Sequence, residues 1–476
     1  MSVGRIVLVG VAACLLSACA VGPDYQTPQV QTGGEQFANA GHPEFVNKEV
    51  DLLWWRQFRD PTLDRLIDET LRANWDLKGA EANLREARAL YLQSGLDLLP
   101  TVVGRASYNE QKRSVAALNN RSFVPRELKL YSTGFDAFWE IDFFGRVRRN
   151  VESSEAEVEV QVAGYRDLMV SLIAEVARNY FALRGLQNQL AVSQKNAENQ
   201  AETLKITEIR LQAGRGTELD TSRAKAQMDS TKALLPRLRV AIHQAIHRLG
   251  VLTGKPPGTY LAELLTSAPL ADVPAVVCIG SPAELLRRRP DIRVAERELA
   301  SATAQIGVAT ADLFPRVTFV GTIALEGRTL SAVGGGGSDA YSAGPRITWA
   351  AFDLGRVYAR IKAADASAEA SLARYQQTVL NALEETENAL VGYNEQRAER
   401  DLLAQAAEAS QRASELAHLR FRDGASDFLT VLDAELRLLQ DQERLALSQT
   451  QTATALVALY KALGGGWENR AIPQGL

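Results

Sequence analysis

Two hydrophobic periods alternate along this chain. Between Tyr131 and Ile141 the odd positions Tyr131, Thr133, Phe135, Ala137, Trp139 and Ile141 are mainly apolar or aromatic, while Ser132, Gly134, Asp136, Glu140 and Asp142 take even ones. That period of two predicts a strand. Val317 to Leu325 and Tyr341 to Trp349 alternate likewise, and a weaker run covers Thr101 to about Glu110. Pro345 removes a ladder donor, which predicts a bulge or strand end there. After each strand pair the period lengthens to seven. Met169, Val176, Leu183, Leu190, Ala197, Leu204 and Leu211 mark a proline-free stretch from Arg146 to Ala213, and strict sevens predict helices in left-handed supercoiled packing. At 1.5 Å per residue such a helix would run roughly 100 Å. Gly214 and Gly424 suit the left-handed position after a helix, and polar starters, Thr217 or Ser426 and Asp427, predict returning helices. The second return again shows sevens, in Leu432, Leu439, Ala446, Ala453 and Tyr460.

The chain is internally duplicated. Leu71, Ala80, Glu81, Leu84, Ala87, Asp97 and Pro100 recur 215 residues later as Leu286, Ala295, Glu296, Leu299, Ala302, Asp312 and Pro315. From Trp139/Trp349 onward the offset is 210, through Gly145/Gly355, Arg146/Arg356, Tyr165/Tyr375, Arg210/Arg420 and Gly214/Gly424. Length changes concentrate at exposed loop tips, so the interval between the two offsets predicts a strand hairpin whose tip differs between halves. The unit is far longer than a solenoid repeat.

Strands of this length with apolar faces and aromatic ends suit a lipid-embedded barrel; a soluble sandwich sheet is the alternative. Four strands cannot close a barrel, and open edges are excluded from hydrocarbon, so several copies must pool their strands. The fold class expected is mainly α with membrane β. The boundaries are a signal peptide over 1–18, an arm over 19–60, helices over 61–100, a β-hairpin over 101–142 and a long helical hairpin over 143–255. A linker over 256–282 leads to a helix over 283–314, a β-hairpin over 315–353, a second long helical hairpin over 354–465 and a tail over 466–476.

The first residues change the picture of where the chain resides. Arg5, the apolar run Ile6–Leu16 and Leu16-Ser17-Ala18-Cys19 read as an export signal and resemble a bacterial lipobox. That resemblance implies a mature chain beginning at Cys19 with an N-acyl and S-diacylglycerol lipid, which anchors it in the membrane. Ala20 stands where an Asp would favour inner-membrane retention. Cys14 leaves with the signal, so Cys278 is the one unmodified thiol of the mature chain and no internal disulfide forms; its apolar neighbours predict a small buried hydrophobe. A net charge of −4 with no basic block argues against nucleic-acid binding.

Several segments together resemble the TolC-like outer membrane factor family, in its lipoprotein branch serving resistance-nodulation-division efflux systems. They are Cys19-Ala-Val-Gly-Pro-Asp-Tyr25, Trp54-Trp55 through Asp60-Pro61-Leu63, Leu285-Leu286-Arg287-Arg288-Arg289-Pro290-Asp291-Ile292-Arg293, Phe314-Pro315 and Phe352-Asp353-Leu354-Gly355-Arg356. The resemblance implies a homotrimer with a twelve-stranded outer-membrane β-barrel, a long coiled-coil periplasmic tunnel and an equatorial α/β belt. It also implies a periplasmic adaptor and an inner-membrane pump as partners, with outer-membrane lipid around the barrel. Asp433 matches a position whose aspartates ring the periplasmic gate, while Thr430 replaces a second such aspartate. Asp220 matches a position that ties neighbouring tip helices when the gate is closed. Phe421 and Ser426 replace its usual Tyr and Arg partners, which implies a different latch through Arg422 or Arg223. Adaptor contacts are expected at the tips, Gly214, Gly216 and Thr217 through Asp220, and Gly424, Ala425 and Ser426 through Phe428.

Enzymatic constellations are missing. His243 and His247 lack the glutamate of a metalloprotease helix, and Gly250 to Pro256 is one residue short of a phosphate loop and has Pro where Ser or Thr belongs. Gly334–Gly337 follows a strand and opens no helix, and there is no Gly-x-Ser-x-Gly elbow. No cofactor beyond the Cys19 lipid is expected. The reading is a passive exit duct for small molecules handed over by a pump. A channel for type I protein secretion shares the fold, and a periplasmic adaptor lipoprotein would show one hairpin without the duplication.

Overall fold

The computed structural model describes residues 20–30, 33–116, 125–468, 470, 472 and 473. Cys19 and the export signal lie outside the described residues. The first half comprises β1 (Phe45–Val46), a 3-10 turn (Trp54–Phe58), α1 (Pro61–Ala73), α2 (Trp75–Leu96), β2 (Thr101–Lys112), β3 (Glu127–Ile141), α3 (Arg146–Gln212) and α4 (Glu218–Leu252). A connecting segment holds α5 (Leu261–Leu264) and β4 (Val277–Cys278). The second half follows with α6 (Pro282–Arg288), α7 (Pro290–Ala311), β5 (Arg316–Gly327), β6 (Asp339–Thr348), α8 (Leu354–Arg422) and α9 (Phe428–Ala462).

Local chemistry sets these boundaries. Asp60 accepts from the amides of Thr62 and Leu63, with Pro61 opening α1, where a missing N–H costs no helical bond. Asn74 caps α2 in the same manner. At the turn into α3, Gly145 adopts φ +79° and Asp142 accepts from the amides of Val147 and Arg148. α6 begins with a capping box between Ser281 and Glu284.

β2, β3, β5 and β6 form one antiparallel sheet in that order. Its registers carry the duplication: Thr101 faces Phe138 in the first hairpin, and Arg316, 215 residues on, faces Thr348, 210 residues on. Pro345 lies opposite Phe319 within an unbroken register, so the expected bulge or strand end does not occur. A proline removes a single ladder donor, and the pairs on either side of it hold the register. Each half also repeats one fastening. Trp139 Nε1 donates to the Leu98 carbonyl at 2.9 Å, and Trp349 Nε1 to that of Leu313 at 3.0 Å.

Below the sheet the seam predicted by the sevens is buried. Met169, Val176 and Leu183 are at most 1% exposed, and the row loosens downward until Leu211 reaches solvent. α3 packs with α4, and α8 with α9, while α3 also meets α7 and α9. The main core sits at the equator, where Trp54 stacks on Tyr460 at 5.0 Å and Phe58 meets Phe181 at 4.6 Å. β1 and β4 add a short parallel pair. Cys278, expected to be buried, is partly exposed in β4, since successive strand residues face opposite sides and Val277 and Ile279 take the interior one.

Candidate functional site

The two ends of the chain's long axis carry the candidate chemistry. In the sheet, cross-strand partners share a face, and one face collects Val102, Phe135, Ile323, Tyr341 and Ile347, all at least 62% exposed. A monomeric soluble protein rarely exposes so continuous an apolar surface; hydrocarbon is the solvent that suits it. The opposite face is polar, with Arg105 3.4 Å from Asp136 and Thr322 donating to Asp136 at 2.8 Å. A face for lipid and a face for water thus lie back to back.

Just below the sheet, the N-terminal arm is clamped. Arg149 is 4% exposed; it donates to the carbonyls of Val21 and Gly22 and pairs with Asp24 at 2.6 Å and Glu152 at 2.7 Å. Gly22, at φ +92°, rests on Gly307, where a Cβ would come within 2.5 Å of the Gly307 Cα. Ala20 lies against Gly145, at the turn between β3 and α3. The chain therefore enters the described structure at the rim of the sheet.

At the other end, the tips of the two helical hairpins meet. Gly214 and Gly424 take φ +68° and +75°, as helix-terminating glycines do. Thr217 and Asp220 form a capping box, so Asp220 secures its own helix. α9 starts from Asp427, whose carboxylate accepts from the Thr430 amide and hydroxyl; these bonds hold its pKa below the ordinary range. Ser426 precedes that cap. Asp433 is exposed on α9 and makes no hydrogen bond or ion pair among the described residues. Gly216, Ala425 and Thr430 lie at the same end, Ala425 and Thr430 exposed and Gly216 half-buried.

The contact that joins the two hairpin tips within the chain uses a residue that sequence reasoning missed. Arg422 and Arg223 make no ion pair among the described residues. Arg210 instead reaches from α3 to the end of α8, its guanidinium 3.7 Å from the Phe421 ring centroid and bonded to the Phe421 carbonyl at 2.5 Å. The carbonyls ending a helix lack intrahelical donors and carry its negative dipole end, which explains why a cation settles there. Phe421 is itself buried against Phe428, Ala417, Ala224 and Val431. The signal was present, since Arg210 recurs as Arg420 in the duplication. Above this contact, Glu435 accepts from Thr203 at 2.6 Å and pairs with His418 at 2.9 Å, and Asn196 bonds Gln442 at 3.0 Å. Between the apolar cluster at the tips and the apolar equator, the joint between hairpins thus carries polar contacts.

A membrane-seated sheet continued by two long coiled hairpins defines a channel protein whose body extends away from the bilayer. Comparison places that class in a family. The family model described as outer membrane efflux protein matches residues 66–255 and 282–465. Nodulation protein T of Rhizobium leguminosarum bv. trifolii is 32% identical over 457 residues, covering 95% of this chain and 96% of the relative. The solvent efflux pump outer membrane protein SrpC of Pseudomonas putida is 30% identical over 472 residues, 96% and 97% of the two chains. The solved outer-membrane channel OprN superposes with a TM-score of 0.89 at 41% identity, covering 94% of this chain and all of that one. The chain belongs to the outer membrane efflux protein family. It is an outer-membrane efflux channel of TolC-like fold, extending into the periplasm.

Proposed function

We propose that three copies of this chain close one twelve-stranded barrel and one twelve-helix tunnel, a passive exit duct for small molecules delivered by an inner-membrane pump through a periplasmic adaptor. The observation that carries this reading is an imbalance in the duplication. Within the chain β3 pairs with β5, and α3 packs on both α7 and α9. The duplicated counterparts would be β6 with β2, α8 with α2, and α8 with α4. None of these forms an extensive contact inside one chain among the described residues. Each therefore falls to a neighbouring copy, and repetition around an axis removes the open edges of β2 and β6 that hydrocarbon forbids. Leu90, Leu96 and Leu99, exposed on or just after α2, supply apolar surface for that neighbour.

In this reading residue 19 carries the lipid, because Ala20 sits at the rim of the sheet, within one residue of where acyl chains would enter the bilayer. The Asp433 carboxylates would ring the tunnel mouth, attracting cations and repelling anions, and the tips Gly214–Asp220 and Gly424–Phe428 would receive the adaptor. The test is purification followed by bilayer recording, with compound accumulation measured in a deletion strain complemented by the wild-type or Cys19→Ala chain. A trimer in detergent, discrete currents and restored efflux are expected. Protein that stays monomeric and never passes current overturns the reading.

A further inference from the structure

The equatorial body holds a cavity of about 720 Å3. It opens where α3, α6, α7 and α8 meet the N-terminal arm, and its wall carries Arg166, Arg287, Arg288 and Arg293 beside Trp467 and Tyr375. Two of these cations are matched by carboxylates: Arg293 pairs with Glu296 at 2.6 Å, and Arg288 lies 3.7 Å from Glu468. Arg287 has no carboxylate partner among the described residues, nor does Arg166, whose guanidinium sits 4.4 Å from the Trp467 ring centroid. Burial first, and then the charge of Arg293, lower the pKa of Arg166, with Glu468 opposing.

The duplication provides an internal control. The packing residues of this site persist in the other half, as Leu286/Leu71, Ile292/Leu77, Glu296/Glu81 and Tyr375/Tyr165. The charge persists only in part, for Arg287 and Arg293 recur as Arg72 and Lys78, whereas Arg166 and Arg288 correspond to Gln376 and Ala73. Arg166 and Arg288 are thus the cations particular to this half, added to a wall that both halves share.

We propose that this cavity binds a small organic anion, a carboxylate or phosphate carried on a flat apolar body. Guanidinium groups receive such acids through paired, charge-assisted hydrogen bonds, and Trp467 with Tyr375 offers aromatic surface for the body. Arg287 and Arg166 take the acid group, since their charge is not already matched.

The experiment uses the full-length protein in lipid nanodiscs and calorimetric titration with 2-naphthoate, its neutral analogue 2-naphthylmethanol, and inorganic phosphate. The variants are Arg166→Gln and Arg166→Gln/Arg288→Ala, which copy the residues at the duplicated positions and so respect the packing. Expected are one saturable naphthoate site per chain, at least tenfold weaker binding of the neutral analogue, and competition by phosphate. Arg166→Gln should weaken naphthoate at least tenfold, and the double variant further, while thermal midpoint and single-channel conductance stay at wild-type values. Absence of a saturable site, equal affinity for acid and alcohol, or an unchanged affinity in both variants overturns the proposal.

Discussion

Arg210→Ala should release the two hairpins of a chain from each other. The guanidinium makes two contacts, the stack on Phe421 and the bond to its carbonyl. A cation over an aromatic face contributes about 0.5 to 2 kcal/mol, and a hydrogen bond involving a charged group about 1.5 to 3 kcal/mol. Arg210 is half-buried, so water replaces part of both, and the lower ends sum to about 2 kcal/mol. At about 1.4 kcal/mol per factor of ten, the ratio of parted to joined hairpins rises about 30-fold per copy. Planar-bilayer recording reads this as a higher fraction of time in the high-conductance state. Arg210→Lys keeps the charge and loses the planar fork, and should fall between the two. Because the tip is remote from the Trp54–Tyr460 core, the thermal midpoint should hardly move. A folded Arg210→Ala channel with wild-type gating would refute the assignment of the latch.

The duplication gives a second latch without further assumption: Arg420 is exposed at the end of α8 and should cap the Leu211 carbonyl of the next copy, so Arg420→Ala should also favour opening, less strongly because Leu211 offers no ring; unchanged gating contradicts it. Carrying the β3–β5 register through the same offsets places Ile347 opposite Ala106 of a neighbour, and Ile347→Cys/Ala106→Cys should give an oxidised three-chain ladder on denaturing gels, whereas intrachain or no product rejects the closure. Asp433→Asn should reduce cation preference and alter conductance at the mouth, measured as a shifted reversal potential in a salt gradient; an unmoved potential removes Asp433 from the lumen. Burial alone would raise the Glu69 carboxyl, yet bonds from Lys255, Tyr260 and Arg65 hold its pKa at about 2. A depressed carboxylate stabilises the fold above its unfolded value and loses that contribution as pH falls toward about 2. Thermal midpoints between about pH 5 and pH 2 should therefore fall less steeply in Glu69→Gln, which should also start lower at neutral pH; parallel slopes refute the coupling.

Periodicity made the fold legible because each environment imposes its own. Lipid on one face and water on the other force the alternation seen from Tyr131 to Ile141, and the buried seam of α3 forces the sevens from Met169 to Ala197. Where those constraints lapse, the pattern misleads. Pro345 suggests an interruption, but the pairs flanking it hold the register. Cys278 reads as interior from its neighbours, but it alternates with Val277 and Ile279, which take the interior side. The clamp on the arm is not legible, since Arg149 is one arginine among many until folding brings Val21, Gly22 and Asp24 to it.

The tips show why a site is harder to read than a frame. Asp220 has the spacing of a helix cap, and its carboxylate does satisfy Thr217, so matching it to a contact between helices draws on resemblance alone. Arg210 lies in plain view as a recurring residue, but its partner is a main-chain carbonyl, and every residue has one. No side-chain pattern marks such an acceptor; what marks it is the end of a helix, fixed here by Gly424. The same logic separates the upper and lower halves of the tunnel wall. An apolar joint parts only by exposing hydrocarbon to water, whereas the Thr203–Glu435 and Asn196–Gln442 bonds exchange for bonds to water at a net cost of about 1 kcal/mol each. The hairpins are therefore held by an apolar joint at the equator and by exchangeable bonds around Thr203 and Asn196, with the small cluster around Phe421 and Phe428 closing the tips.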